Sequence, residues 1–309
     1  MPLISVVIPV YNGEKTIKKT IEAVLNQSFP DIEVIVINDG SCDSTVEIVN
    51  SIDDYRLQLF SYTNAGLAAS RNRGISHSKG EFISFIDADD LWTTDKIEAQ
   101  YKALQENPQA AVAYSWTDYI DAEGKFLQSG RHVTAKGDVY SKLVLSSFLE
   151  NGSNPLIRMQ AISTIGTFDE SLFAAEDWDM WLRLAAKYEF VCVEKVQILY
   201  RVSVNSMSAN LKRQEAACLE VIERAFSHPK AEFLQYLKKY SFAHLYKYLA
   251  FKALQASPKQ QQSLIAAQFL WNCVKYDPSV LRQTRVMLIA LLKIAFPQLY
   301  DRLKQLFNA

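Results

Sequence analysis

Glu81-Phe82-Ile83-Ser84-Phe85-Ile86-Asp87-Ala88-Asp89-Asp90 decides the fold, because an apolar run of strand length ends abruptly on three carboxylates. Such a run, bounded by polar residues, suits a buried strand. Carboxylates this close repel one another unless a cation or a hydrogen-bond network compensates. Two readings are open at this point. One is a site for a hard divalent ion, Mg²⁺ or Mn²⁺, which often takes one or two protein carboxylates and leaves room for water and phosphate oxygens. The other is a solvated Asp-rich turn that caps a helix starting near Thr93.

Working towards the N-terminus, the same pattern repeats. Ile4-Ser5-Val6-Val7-Ile8 reads as a strand, and Glu14 to Gln27 carries Ile17, Ile21, Val24 and Leu25 at helical spacing. Ile32 to Ile37 is a second strand, followed by a helix from about Ser44 to Ser51, a strand around Leu57 to Tyr62 and a helix from near Gly66. Alternating strands and helices predict an α/β fold with a largely parallel sheet. Ligands of such sheets bind beyond the carboxyl ends of the strands. The unusual polar groups fall there: Tyr11-Asn12-Gly13, Asn38-Asp39-Gly40, Asn64-Ala65-Gly66 and the Asp87 cluster.

Working towards the C-terminus, a helix is expected to about Asn107 and a strand from Ala111 to Ile120, with a hairpin turn at Asp121-Ala122-Glu123-Gly124. Trp178 to Lys187 reads as a helix and Phe190 to Val193 as a short strand. From about Leu211 onward only helical patterning is present. The predicted organisation is an α/β unit over 1–210 and a helical region over 211–309.

Bulk properties narrow the function. The chain has 309 residues, 49% hydrophobic, enough for a sizeable core. Its formal net charge of -1 gives no general attraction to nucleic acid, so an anionic ligand needs a discrete site. Cys42, Cys192, Cys218 and Cys273 show no CxxC spacing, which argues against structural zinc or a disulfide framework and for a reducing, cytoplasmic setting. No basic segment precedes the apolar stretch Leu3 to Val10, so no signal peptide is expected. The apolar run near Val286 to Phe296 is interrupted by Lys293, ended by Pro297, and shorter than the ~20 residues of a spanning helix.

Two further segments carry chemistry. In Asn64-Ala65-Gly66-Leu67-Ala68-Ala69-Ser70-Arg71-Asn72-Arg73-Gly74, small residues allow close approach and Arg71 offers a planar fork of donors to phosphate; close helix-on-sheet packing is the alternative. It is neither a Walker A loop nor a G-x-G-x-x-G fingerprint. The second lies after Phe168-Asp169-Glu170, where Glu176-Asp177-Trp178-Asp179-Met180-Trp181-Leu182-Arg183 sets acidic residues beside tryptophans. That suits a sugar site, with Trp178 and Asp179 towards an acceptor, or simple helix-start capping.

Pro9-Val10-Tyr11-Asn12, Asp39, the Arg71 segment, Asp87-Ala88-Asp89-Asp90 and Glu176-Asp177, in that order over about residues 1–205, resemble the family-2 glycosyltransferases of the GT-A fold. The resemblance implies a Rossmann-like, mainly parallel mixed sheet flanked by helices, with a helical appendage. It implies an inverting transfer from a nucleotide-diphospho-sugar, a UDP-sugar foremost, to the hydroxyl of a glycan or lipid-linked acceptor in polysaccharide or glycan assembly. Pro9, Val10, Tyr11 and Asp39 would meet the nucleotide, Asp87, Ala88 and Asp89 the ribose and metal-bridged diphosphate, and Arg71 the phosphates. Asp87 and Asp89 would hold the metal. Asp177 would act as base, with Glu176 orienting base or acceptor.

One departure stands out. Relatives carry Tyr-Arg-x-His-x-x-Ser-x-Ser where this chain has Tyr200-Arg201-Val202-Ser203-Val204-Asn205-Ser206-Met207-Ser208, so Ser203 replaces a histidine and metal identity is open. Arg201 is open between diphosphate contact and a structural role. The rivals are a nucleotidyltransferase, which leaves Glu176-Asp177 unexplained, and an inactive nucleotide-sugar-binding module. In the tail, Lys293, Arg302 and Lys304 lie among Leu291, Leu292, Ile294, Phe296, Leu299, Leu303 and Leu306. Such a surface suits peripheral contact with the inner face of a membrane, intramolecular packing or a homodimer.

Overall fold

The computed structural model describes residues 2–202, 210–255 and 260–295. In chain order these form β1 (Ile4–Val10), α1 (Ile17–Leu25), β2 (Ile32–Asn38), α2 (Thr45–Asn50), β3 (Leu57–Ser61), α3 (Leu67–His77), β4 (Phe82–Phe85), β5 (Leu91–Trp92), α4 (Lys96–Glu106), β6 (Ala110–Ile120), β7 (Phe126–Ser129), α5 (Tyr140–Leu143), β8 (Leu156–Arg158), α6 (Met159–Ile165), α7 (Glu176–Lys187), β9 (Glu189–Arg201), α8 (Leu211–Ser227), α9 (Lys238–Gln255), α10 (Gln260–Tyr276) and α11 (Thr284–Ala295). Two compact units result: Met1–Leu143 with Ser147–Ser206, and Val144–Ser146 with Met207–Ala309.

The first unit is organised by one sheet in the order β3-β2-β1-β4-β8-β6-β9-β5, with β7 paired to β6. β3, β2, β1 and β4 run parallel. Every residue of β1 and β2 is buried, because both faces are covered, the strands are mostly β-branched, and the polar pair Ser5 and Glu33 is satisfied by a 2.6 Å hydrogen bond between them. Fully burying one Ile or Val contributes about 1.5–3 kcal/mol. These strands therefore carry the stability, and the polar turns at their ends are left for other work. On α1, Ile17, Ile21 and Val24 form the buried stripe. α3 lies close on β1: a Cβ placed on Gly74 would stand 2.2 Å from Val7 Cγ1, so the small-residue segment does pack tightly.

Beyond β4 the sheet becomes mixed. β8 runs antiparallel to β4 and β6, while β6 and β9 are parallel to each other. The strand expected at Phe190 to Val193 is in fact the 13-residue β9, which continues through Glu194 and Lys195 because it pairs with β6 across bulges at Ser115–Thr117 and then with β5. The hairpin at Asp121–Gly124 forms as expected between β6 and β7. The second unit, so far as it is described, is helical. Among the described residues no helix is long and apolar enough to cross a membrane, and all four cysteines are free thiols. Ser203 to Ser208, and Phe296 onward in the tail, lie outside the described residues.

Candidate functional site

β4 delivers the chain into the Asp87–Asp90 turn, where nearly every backbone group is tied. The Asp90 amide donates to Asp87 O at 3.0 Å. On α1, the Thr20 hydroxyl lies 3.0 Å from Ala88 O and 2.9 Å from Asp90 O, sharing its one proton between them. Arg201 Nε donates to Asp89 O at 2.7 Å, and the same guanidinium holds Asp121 O and Ala122 O of the hairpin turn. The Asp87 amide donates to Ser153 Oγ at 2.9 Å.

The three carboxylates of the turn have separate fates. Asp90 is fully buried and accepts from Ser153 Oγ at 2.5 Å and from the Arg201 amide at 2.9 Å. Burial, then the charges of Asp89 and Asp87, push its carboxyl well above the usual range. It is an anchor for the turn. Asp89 is pushed up to about 6, by burial first and Asp87 second. Among the described residues no other side chain donates to its carboxylate. Asp87 Oδ1 accepts from Arg71 Nη2 at 2.7 Å.

Arg71, on α3, is 1% exposed. Its Nη1 donates to Glu176 Oε1 at 2.7 Å, so one guanidinium bridges the β4 turn to the start of α7. Burial works against its charge, but Asp87, Glu176 and Asp177 outweigh that and raise its pKa. The guanidinium also lies 5.3 Å from the centre of the Phe168 ring. Arg71, expected from sequence at a phosphate, here has both guanidinium amino groups on carboxylates. It is a fixed positive charge shared by two carboxylates.

α7 begins immediately after Ala175, a non-glycine residue at φ 57°, a left-handed conformation that costs about 1–3 kcal/mol and clusters at functional sites. The sharp entry sets Glu176 and Asp177 in the first helical turn. Asp177 is half-buried; its Oδ1 accepts from the Trp178 amide at 2.7 Å. Burial and then the Glu176 charge push its carboxyl up to about 7, against the pull of Arg71. The two neighbours expected at an acceptor both have partners within the protein. Trp178 is 6% exposed with its indole N–H donating to Leu143 O at 2.9 Å, and Asp179 pairs with Arg183 at 2.8 Å.

At the other end of the site the β1 and β2 turns are laced together. The Asp39 amide donates to Val10 O, Asn12 N to Ser41 Oγ, Cys42 N to Asn12 Oδ1, and Gly13 N to Thr45 Oγ1. Pro9 and Val10 are buried, and Tyr11 stands 55% exposed. Asp39 is buried and opens α3: its oxygens accept from Ala65 N at 3.0 Å, Gly66 N at 2.8 Å and Arg73 Nη1 at 2.9 Å.

Thr20, Arg73, Gly152 and Ser153 escaped the sequence reading. A Cβ on Gly152 would lie 2.2 Å from Arg71 Nη2, so only glycine lets that backbone pass the bridging guanidinium. No motif marks these positions except the nearness of Arg73 to Arg71. A shallow cavity of about 340 Å³ lined by Lys79, Phe82 and Arg158 lies at the opposite end of β4, away from this chemistry.

Among the described residues no group of three or more His, Cys, Asp or Glu side chains is arranged to hold a metal ion. Asp87 and Asp89 nevertheless fit a hard divalent cation. They are oxygen donors on a fixed turn, and burial first, then the charge of Asp87, raises the pKa of Asp89, a cost that a bound cation would relieve.

A family model described as Glycosyltransferase like family 2 matches residues 5–253. An uncharacterized glycosyltransferase of Rickettsia bellii is 36% identical over 192 residues, 60% of this chain and 26% of the relative. One from Rickettsia typhi is 33% identical over 210 residues, 66% of this chain and 64% of the relative. The chondroitin synthase of Pasteurella multocida is 26% identical over 241 residues, 76% of this chain and 24% of its own length. The chain thus spans between about a quarter and two thirds of these relatives. Among solved structures, S. aureus TarS 1-349 in complex with UDP-GlcNAc is 17% identical with a TM-score of 0.60, over 91% of this chain and 92% of that one, a likeness of fold. With its GT-A-type mixed sheet and a family match over most of its length, this chain belongs to the family-2-like glycosyltransferases.

Proposed function

We propose that this chain transfers a sugar from a nucleoside-diphosphate sugar to an acceptor hydroxyl, inverting the anomeric carbon. The observation that carries the reading is the Arg71 bridge, 2.7 Å to Asp87 and 2.7 Å to Glu176, which ties a phosphate-side turn to the helix start that carries Asp177, the neighbouring carboxyl pushed up to about 7. The exposed ring of Tyr11, with Pro9, Val10 and Asp39 behind it, offers a platform for a nucleobase. A bound UDP-sugar in the TarS structure supports uridine as the nucleotide. Asp87 and Asp89 would hold Mg²⁺ or Mn²⁺ beside the diphosphate. When bound, such a cation neutralises charge on the leaving diphosphate.

In the transfer, the acceptor oxygen forms its bond to the anomeric carbon on the face opposite the phosphate. The carbon–oxygen bond to the β-phosphate breaks and its electron pair leaves with the nucleoside diphosphate. Asp177 takes the acceptor proton. A base works best when its pKa lies near the working pH, and about 7 meets that condition where an ordinary aspartate would be a weak proton acceptor. Glu176, held by Arg71, keeps the α7 start in register and adds the like charge that raises Asp177. Arg201, by its hydrogen bonds to Asp89 O and the hairpin turn, positions the donor turn and does not need to touch the diphosphate. The similarity to a chondroitin synthase supports a glycan acceptor in polysaccharide assembly.

Incubation with UDP-, GDP- and dTDP-sugars, Mn²⁺ and candidate acceptors, followed by assay of free nucleoside diphosphate, tests the reading. Release that depends on Asp177 is expected. Binding without release across donors would instead identify a nucleotide-sugar-binding module, and release of pyrophosphate from a nucleoside triphosphate would identify a nucleotidyltransferase.

A further inference from the structure

The geometry points to Ser153 as a positioning residue that locks the Asp87–Asp90 turn in the shape presenting Asp87 and Asp89 to a diphosphate; the identity of that ligand rests on the sugar-transfer reading. Ser153 is fully buried and belongs to none of the strands or helices. Its single hydroxyl accepts from the Asp87 amide at 2.9 Å and donates to Asp90 Oδ2 at 2.5 Å. A hydroxyl has one proton and two lone pairs, so it can close both ends of a four-residue turn at once. No apolar side chain can do this.

The loop that carries Ser153 is built for rigidity. Asn151, Gly152, Ser153 and Asn154 are all buried, although connecting segments ordinarily run over the surface. Asn154 supplies the missing partners: its side chain accepts from Ser115 N at 2.9 Å and donates to Ser115 O at 2.7 Å, so the loop is stitched to β6 as an extra strand would be. Asn151 Nδ2 donates to Thr117 Oγ1 at 3.1 Å, and Ser153 O accepts from the Trp92 indole at 2.8 Å. Gly152, one residue earlier, passes against the Arg71 guanidinium that grips Asp87 from the other side. The turn is thus clamped between a loop that fixes its backbone and an arginine that fixes its first carboxylate. Removing the Ser153 hydroxyl leaves a part-buried amide and a buried carboxyl oxygen without this partner, while Asp87 and Asp89 themselves stay chemically intact.

Hydrogen–deuterium exchange on the free protein tests the lock without any ligand. In Ser153→Ala, exchange at the Asp87 amide should rise about tenfold or more while the amides of β1 and β2 keep their wild-type rates. Ser153→Cys, close in size but a poor hydrogen-bonding group, should behave in the same way, and Ser153→Thr, which keeps the hydroxyl, should restore protection. Calorimetry with UDP and Mn²⁺ should show the Ala variant binding about tenfold more weakly, with the donor KM raised more than kcat is lowered. Wild-type exchange at Asp87 in both the Ala and Cys variants overturns the inference. So does uniform acceleration across the sheet, which would make Ser153 a residue of general stability. If the wild-type protein binds none of UDP, GDP or dTDP, the sugar-transfer reading fails, and the exchange measurement still decides the role of Ser153.

Discussion

The turn after β4 and the first turn of α7 both bring carboxylates to one site, and they are held in opposite ways. Asp87–Asp90 is fixed by hydrogen bonds from four separate places in the chain: Thr20 on α1, Arg71 on α3, Ser153 in a buried loop and Arg201 at the end of β9. Glu176 and Asp177 rest on a left-handed Ala175, one ion pair to Arg71 and one local amide contact. On the sugar-transfer proposal, the difference separates two tasks. A platform for a polyanion gains from having no freedom, because ordering cost is met during folding and not at binding. A proton acceptor needs a raised pKa and an open lone pair, which a denser hydrogen-bond shell would destroy by favouring the ionised form.

Substitutions at the two places should therefore fail differently. The largest effect belongs to Asp177→Asn, which keeps volume and removes proton acceptance: turnover should fall by about 10³-fold or more, with UDP affinity within about twofold of wild type by calorimetry. Equal loss of turnover and nucleotide affinity would erase the distinction between the two turns. Asp89→Ala should do the reverse, weakening Mn²⁺-dependent UDP binding by about 10²-fold, and the same titration without Mn²⁺ should show little difference between variant and wild type.

Gly152→Ala comes next. Its Cβ would meet an arginine that two carboxylates prevent from moving aside, so overpacking should cost about 1–3 kcal/mol, read as a lowered Tm with both binding and turnover reduced. The smallest effect is thermodynamic. The folded-state pKa of Asp177 is raised above its unfolded value, so between about 4 and 7 the folded protein binds more protons at this site than the unfolded chain. Above about 7 the native state must carry a charge it disfavours. Asp177→Asn should then melt slightly higher than wild type at pH 8, and this advantage should shrink as the pH falls towards 4. An advantage that grows on acidification would contradict the raised pKa.

Local chemistry explains which parts of this arrangement were visible in the sequence. The βα units up to Asp90 show themselves by apolar period and by polar residues at each strand end, because each unit is built from neighbouring residues. Glu176 and Asp177 are legible as a helix start. Beyond β4 the helix α4, the strand β6 and its hairpin are still legible, but the shortest strands are not: β8 is three residues long and β5 is two, too short to carry a period, and their places are set by pairing with distant strands. The true length of β9 was hidden because Glu194 and Lys195 interrupt its apolar run. Arg71 was found as an important cation, but its partners lie 16 and 105 residues away, and no local pattern encodes such a bridge. Ser153 and Gly152 matter by where the chain puts them and not by any motif.

The junction of β4 with β8 has a further implication for how such a chain can diversify. The two halves of the sheet meet there through three residue pairs, Phe82–Arg158, Ile83–Ile157 and Ser84–Leu156. Little else in the sheet must match for one half to accept a different companion. The conditions are the contacts that cross the junction: Arg71 with Glu176, Asn72 with Phe168 O and Glu170, the edge-to-face contact of Phe85 with Phe168, Ser153 with Asp87 and Asp90, and Arg201 with Asp89 O. A recombinant that keeps these matched residues should keep the join between the two halves of the sheet. The short β8 seam is in that sense an interchange point, at which a different second half can be tried without rebuilding the first.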